Sequence, residues 1–174
     1  KEGADYFAAM SCGANYAWAN RQMITHWVRE SFEKVFGSAA EDLGMNMVYD
    51  VAHNIAKKEM HKVDGREMEV LVHRKGATRA FPAGHPDVPE RYRAVGQPVI
   101  VPGDMSVGTY VLVGLQGSMD LSFGSSCHGA GRRMSRKAAL RSIKASDVKA
   151  DMKREGIILR SGSDGGLVEE APQT

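Results

Sequence analysis

Apolar residues recur at intervals near three and four from about Asp5 to Phe36, as at Trp27, Val28, Val35 and Phe36, with few breakers among them. That period predicts one long helix or two, with Gly13 as the weak point and Gly37-Ser38 as the end. The pattern then changes. After a short acidic stretch, Met45-Asn46-Met47-Val48-Tyr49-Asp50-Val51 reads as an extended segment that places Ala52-His53-Asn54 at a strand exit. Lys58 to Val63 and Glu67 to Arg74 alternate polar with apolar on either side of Asp64-Gly65, a dipeptide suited to positive φ, and so predict a hairpin.

Gly76 to Gln97 carries three prolines and three glycines with little periodicity, which predicts an ordered loop bearing Arg79, Arg91 and Arg93. Pro98 to Val101 and Tyr110 to Val113 predict two short buried strands joined by a Gly-containing loop. Ser135 to Glu155 reads as helix, with Ser135 or Ser146 as its cap, and Gly156-Ile157-Ile158-Leu159-Arg160 returns to strand. Helices and strands follow one another without a regular βαβ rhythm. The expected class is therefore α+β, with mixed and mainly antiparallel sheets flanked by helices.

Composition narrows this picture. The 174 residues are 43% apolar and 25% charged, ordinary for one globular core or part of a larger one. A net charge of +2, from 23 basic and 21 acidic residues, excludes a global positive field, so any anion site must be local. Cys12 and Cys127 stand far apart without CxxC spacing, which argues against a zinc ribbon or a disulfide scaffold and fits a reducing cytoplasm. No apolar run approaches the roughly 18 residues of a membrane span, and no leader pattern opens the chain, so the expectation is a soluble cytoplasmic protein. The chain opens at Lys1-Glu2-Gly3 and closes at Glu169-Glu170-Ala171-Pro172-Gln173-Thr174, and is expected to be a fragment truncated at both ends. The ten methionines read as adaptable core filler.

Chemistry concentrates in a few segments. Ser125-Ser126-Cys127-His128-Gly129-Ala130-Gly131-Arg132-Arg133 packs small residues around one histidine and follows it with two guanidinium groups. Glycines allow close backbone approach, successive amides can cradle an anion, and arginine forks pair with phosphate oxygens. The histidine there could act as base, donor or nucleophile; the alternative is a turn histidine beside a solvated basic helix start. His73-Arg74-Lys75-Gly76-Ala77-Thr78-Arg79 could meet a polyanion or be a solubilising loop. Tyr49-Asp50-Val51-Ala52-His53-Asn54 offers His53 as a metal ligand or as a simply hydrogen-bonded side chain. No role is assigned to His26, His61 or His85.

The order of these segments is more specific than any one of them. Asn15-Tyr16-Ala17-Trp18-Ala19-Asn20-Arg21-Gln22, then Tyr49 to Asn54, then His73 to Pro82, then Pro102-Gly103-Asp104-Met105, then Cys127 to Arg132, and finally Glu169 to Pro172, resembles the RtcB family of RNA ligases nearly end to end. The resemblance implies the carboxy-terminal portion of one RtcB-like catalytic domain. It also implies a ligase dependent on GTP and Mn²⁺ that joins RNA 3′-phosphate or 2′,3′-cyclic phosphate ends to 5′-hydroxyl ends in tRNA splicing or RNA repair. An archease-type activator is a possible partner.

Residue by residue, His128 matches the nucleophile that carries GMP. His53 matches a manganese-binding histidine, and Asn54 a position near the nucleotide phosphate. Pro102, Gly103, Asp104, Met105 and Thr109, with Gly129, Ala130 and Gly131, match the guanine-nucleotide loops. Lys75, Arg132 and Arg136 match basic positions around the phosphate and RNA. Serine is frequent in the family where Asp104 and Thr109 stand here, and of the family's metal cage this chain carries only His53. The competing expectation is a non-catalytic nucleotide- or RNA-binding remnant.

Overall fold

The computed structural model describes residues 1–129 and 131–174; Ala130, a candidate nucleotide contact, lies outside the described residues. The class is α+β, as expected: helices flank three two-stranded antiparallel sheets.

The first period is one unbroken helix, α1 (Glu2–Phe36). Gly13 does not divide it, because a lone glycine costs about 1 kcal/mol relative to alanine and Ala8, Ala9, Ala14, Ala17 and Ala19 around it are strong helix formers. Gly37 ends the helix in the left-handed region (φ 66°), donating its N–H to the Glu33 carbonyl at 2.8 Å. None of the described α1 residues is buried, and Trp27, Phe32 and Phe36 are exposed.

Residues 45–51 belong to no strand among the described residues. Three of their carbonyls accept from side chains instead. Arg29 donates to the Met45 carbonyl at 3.2 and 2.9 Å, and Arg91 to that of Met47 at 2.9 Å, while Arg91 and Tyr92 both reach Val48. His53 therefore stands at a strand entry, immediately before the first strand, rather than at a strand exit.

The hairpin is β1 (Asn54–Val63) and β2 (Arg66–Lys75), in register from Asn54↔Lys75 to Val63↔Arg66. Asp64 and Gly65 both have positive φ, 49° and 80°, as a type I′ turn requires. Glu59, His61 and Arg74 are buried on the face that also carries Ile55, Val70 and Val72, whereas Met60 on the opposite face is exposed.

The predicted loop contains β3 (Ala77–Arg79) and α2 (Glu90–Arg93). Beyond it, β4 (Pro98–Val101) pairs with β5 (Tyr110–Val113), but only Pro98 and Val99 are buried and all of β5 is exposed, contrary to the expectation of two buried strands. Next come α3 (Gln116–Ser122) and β6 (Ser125–Cys127), which pairs antiparallel with β3. Chain segments cross closely around Phe81, which is 1% exposed. There Ala80 N–H donates to the Gly124 carbonyl at 2.7 Å, Gln97 N–H to that of Phe81 at 2.9 Å, and Gly114 N–H to that of Gln97 at 2.9 Å. A Cβ on Gly114 would collide with the Phe81 and Ala80 backbone, so only glycine fits.

The predicted helix over Ser135 to Glu155 divides into α4 (Arg136–Ser142) and α5 (Ala145–Arg154). Ile143, extended at φ −110°, breaks it by packing onto the core of Val148, Met152, Leu167 and Ala171. Ser135 caps α4 through Ala138 N–H, whereas Lys144, not Ser146, holds the cap position of α5. Gly156 to Arg160 forms no strand among the described residues. Its alternation is real, with Ile157 and Leu159 packed on the same core and Ile158 out, but helices supply the partner surface. The last helix, α6 (Asp164–Glu169), contributes Leu167 and Val168 to the interior. No described helix is long and apolar enough to cross a membrane.

Candidate active site

Three backbone segments converge at the turn between β2 and β3. Gly76, with φ 64°, lets the chain reverse after Lys75. Its N–H donates to Asn54 Oδ1 at 3.2 Å, and Ala77 N–H donates to the His53 carbonyl at 3.4 Å, so the turn is tied to the residues that open β1. On the other side Ala77 pairs with Cys127, which puts the next residue, His128, opposite Gly76; His128 N–H donates to the Gly76 carbonyl at 3.1 Å.

The consequence is a face-to-face histidine pair. The His53 and His128 rings stack with centroids 4.0 Å apart and planes within 3° of parallel. Burial, and then the neighbouring His128, Lys75 and Arg21, hold the His53 imidazole below its ordinary value. The shift favours the neutral imidazole. His128 Nδ1 is buried without a hydrogen-bond partner among the described residues.

His128 also borders a cavity of about 690 Å³, whose walls are Pro102, Gly103, Asp104, Met105 and Val107 from one loop, Gly129, Gly131, Arg132 and Arg133 from the next, and Glu170, Ala171, Pro172 and Thr174 beyond α6. The two loops approach closely: a Cβ on Gly129 would lie 3.7 Å from the Pro102 carbonyl oxygen. Asp104 Oδ1 accepts hydrogen bonds from Ser106 N–H and Oγ–H, both at 2.7 Å; the hydroxyl first and the amide second keep this carboxyl below its ordinary value. The volume suits a nucleotide-sized ligand.

Of the residues singled out in the sequence, Pro102, Gly103, Asp104, Met105, His128, Gly129, Gly131 and Arg132 thus line one cavity. His53 and Asn54 meet this group at its edge, through the histidine stack and the Gly76 turn, and Lys75 sits close enough to affect His53 electrostatically. Thr109, just before β5, is not part of the cavity wall. Arg132 Nη1 lies 3.5 Å from Glu170 Oε1, and Arg136 pairs at 3.5 Å with both Glu169 and Glu170, so an acidic pair tempers these cations. No three His, Cys, Asp or Glu side chains converge among the described residues. No set of donors among the described residues is therefore sufficient to close a metal cage.

Sequence reasoning missed the wall beyond α6 and the buried group beneath the site. Arg74, 1% exposed at its side chain, donates to Glu59 Oε1 at 2.7 Å and Oε2 at 2.8 Å, and His61 Nε2 lies 3.0 Å from Glu59 Oε2. The signal was present in the hairpin register: positions 59, 61 and 74 fall on one face once Asp64-Gly65 fixes the turn.

The geometry thus defines a stacked histidine pair beside a cavity walled by glycines, two arginines and two carboxylates. The family is more specific than that. The chain belongs to the RtcB family, whose model, described as tRNA-splicing ligase RtcB, matches residues 1–174. Proteins named tRNA-splicing ligase RtcB from Thermococcus kodakarensis and Archaeoglobus fulgidus are 62% and 58% identical to it over 172 and 173 residues, 99% of this chain and 36% of each relative. The Nanoarchaeum equitans protein of the same name is 50% identical over 173 residues, again 99% of the chain and 36% of the relative. The chain thus spans little more than a third of the length of these relatives.

Proposed function

We propose that the protein containing this chain is an RNA ligase of tRNA splicing or RNA repair, in which His128 takes up GMP from GTP. What carries the reading is the placement of His128, stacked on His53 and bordering the cavity shared by the Pro102–Met105 and Gly129–Arg132 loops. Family membership and the name borne by the relatives support the RNA-joining role.

In this reading the guanosine occupies the 690 Å³ cavity, with Asp104 and the backbone of Pro102, Gly103 and Met105 toward the base. An imidazole nitrogen lone pair of His128 attacks the α-phosphorus, forming the N–P bond as the bond to the β-phosphate oxygen breaks and pyrophosphate leaves. The RNA 3′-phosphate then attacks the same phosphorus and releases His128, leaving GMP on the RNA end. Attack of the 5′-hydroxyl oxygen on the RNA phosphorus displaces GMP and completes the phosphodiester. Gly129 and Gly131 keep the phosphate path free of side chains, and Arg132 offers a fork to the equatorial oxygens. Lys75 and Arg136 meet RNA phosphates at the rim.

Manganese would supply charge neutralisation at the triphosphate, with His53 as this chain's ligand. The other ligands belong to residues outside these 174, and an archease-type activator is a compatible partner. The isolated chain is expected to bind nucleotide or RNA rather than to catalyse joining. The test is a joining assay with the full-length protein on RNA bearing 3′-phosphate and 5′-hydroxyl ends, with and without GTP and Mn²⁺. The reading expects product only with GTP and with His128 intact; GTP-independent joining, or full activity of His128→Ala, contradicts it.

A further inference from the structure

We propose that Arg74 is a positioning residue for His128, gripping the start of the strand that delivers that histidine. The inference rests on the reading of His128 as the acceptor of GMP.

The guanidinium has partners on every side. Nη1 and Nη2 donate to the Glu59 carboxylate at 2.7 and 2.8 Å, Nη2 also donates to the Phe123 carbonyl at 2.8 Å, and Nε donates to Ser125 Oγ at 2.9 Å. With Arg74 at 1% and Glu59 at 3% side-chain exposure, the pair is shielded from water, where charge-assisted bidentate bonds are strongest and most directional. Glu59 is fixed in turn by His61, 3.0 Å away.

This bracket bears on His128 through β6. Ser125 opens the strand and His128 follows its last residue, about 10 Å further along an extended chain. Arg74 lies two residues before Gly76, whose carbonyl receives the His128 N–H. The β2 end of the hairpin therefore holds β6 at both ends, by a side chain at Ser125 and by the backbone at His128. β6 pairs with β3 over only three residues, too short a ladder to fix position and tilt by itself. Held twice, it keeps the His128 ring over His53 at 4.0 Å. A displacement near 1 Å at a reacting group can cost about 100-fold in rate.

The experiment uses full-length protein with Ser125→Ala, Ser125→Thr and Arg74→Lys, measuring thermal melting, GTP affinity and the single-turnover rate of GMP transfer to protein from α-labelled GTP. Ser125→Ala cuts one arm of the bracket and leaves the Arg74–Glu59 pair in place. It is expected to fold, to bind GTP within about twofold of wild type, and to transfer GMP about tenfold more slowly. Ser125→Thr, which keeps the hydroxyl, is expected to recover most of the rate. Arg74→Lys keeps the charge but not the fork and is expected to fall further; if it does not fold, the serine pair decides. A wild-type transfer rate in Ser125→Ala, or no recovery in Ser125→Thr, overturns the proposal. If wild-type protein acquires no GMP, the reading of His128 fails instead, and a crystal structure of Ser125→Ala still decides the bracket. A His128 ring displaced from His53 supports it, and an unmoved ring overturns it.

Discussion

Replacing Glu59 by Gln changes the side chain's shape very little and removes one negative charge from the interior. Arg74 is left 1% exposed, its guanidinium facing an amide where a carboxylate had accepted bonds at 2.7 and 2.8 Å. Removing one partner of a buried pair costs about 3–5 kcal/mol, because the surviving charge stays desolvated and uncompensated. The Lys149–Asp164 pair provides the control. It is shorter than either of those bonds, at 2.6 Å, but its side chains are 54% and 71% exposed. Exposed pairs contribute about 0–1 kcal/mol, so burial, not distance, decides. At about 1 °C per kcal/mol for a protein nearly three times the length of this chain, Glu59→Gln should lower the melting temperature by about 3–5 °C, and Asp164→Asn by at most about 1 °C.

Acid adds a second reading of the same group. Burial pushes the Glu59 carboxyl up, but hydrogen bonds from Arg74 and His61 outweigh it and hold the group below its ordinary value. The unfolded chain therefore binds this proton more readily than the native state does. The corresponding stability is fully present above the unfolded carboxylate pKa of about 4.3 and is lost as pH falls through the lower folded value. Glu59→Gln should flatten that part of the acid limb. Thermal melts of the full-length wild type and both variants, at neutral pH and across the acid range, provide the assay. A Glu59→Gln shift no larger than that of Asp164→Asn, or an unchanged acid limb, refutes the reasoning.

Two glycines should respond in opposite directions. Gly114→Ala drives a Cβ into the Phe81 and Ala80 backbone and should cost at least about 1–3 kcal/mol by urea denaturation, whereas Gly13→Ala, with open space around it in α1, should stabilise by about 0.4–1 kcal/mol. Ser135→Ala removes the oxygen that accepts from Ala138 N–H at the start of α4 and should cost about 1 kcal/mol in the same measurement.

What the sequence made legible was local. The 3.6-residue period of α1, the Asp64-Gly65 turn with its flanking strands, and the Ser135 cap are written in neighbouring residues and appear in the structure. The segments around His53, Pro102–Met105 and His128 were recognisable by residue type and order, and they do meet. What stayed illegible depends on partners far along the chain. Ile157 and Leu159 alternate with Ile158 like a strand, but helices supply their partner surface. Residues 45–51 have strand-like composition, but the carbonyls of Met45, Met47 and Val48 go to Arg29, Arg91 and Tyr92. The hairpin's alternation did not say which face is buried or that Glu59, His61 and Arg74 pair there, because Arg74 also meets Ser125 and the Phe123 carbonyl, some 50 residues further along the chain. Thr109 lies outside the cavity wall although Val107, two residues earlier, lines it, a difference set by how the turn folds and not by residue type.

The central claim is that His128, stacked on His53 beside the cavity, is the residue that accepts GMP. The most direct measurement is peptide mapping by mass spectrometry of full-length protein incubated with GTP and Mn²⁺, kept at alkaline pH to preserve a phosphoramidate bond. The account predicts a GMP adduct on the peptide containing His128, localised to that side chain and absent from His128→Ala. A GMP adduct on another residue, or one that persists when His128 is alanine, contradicts it.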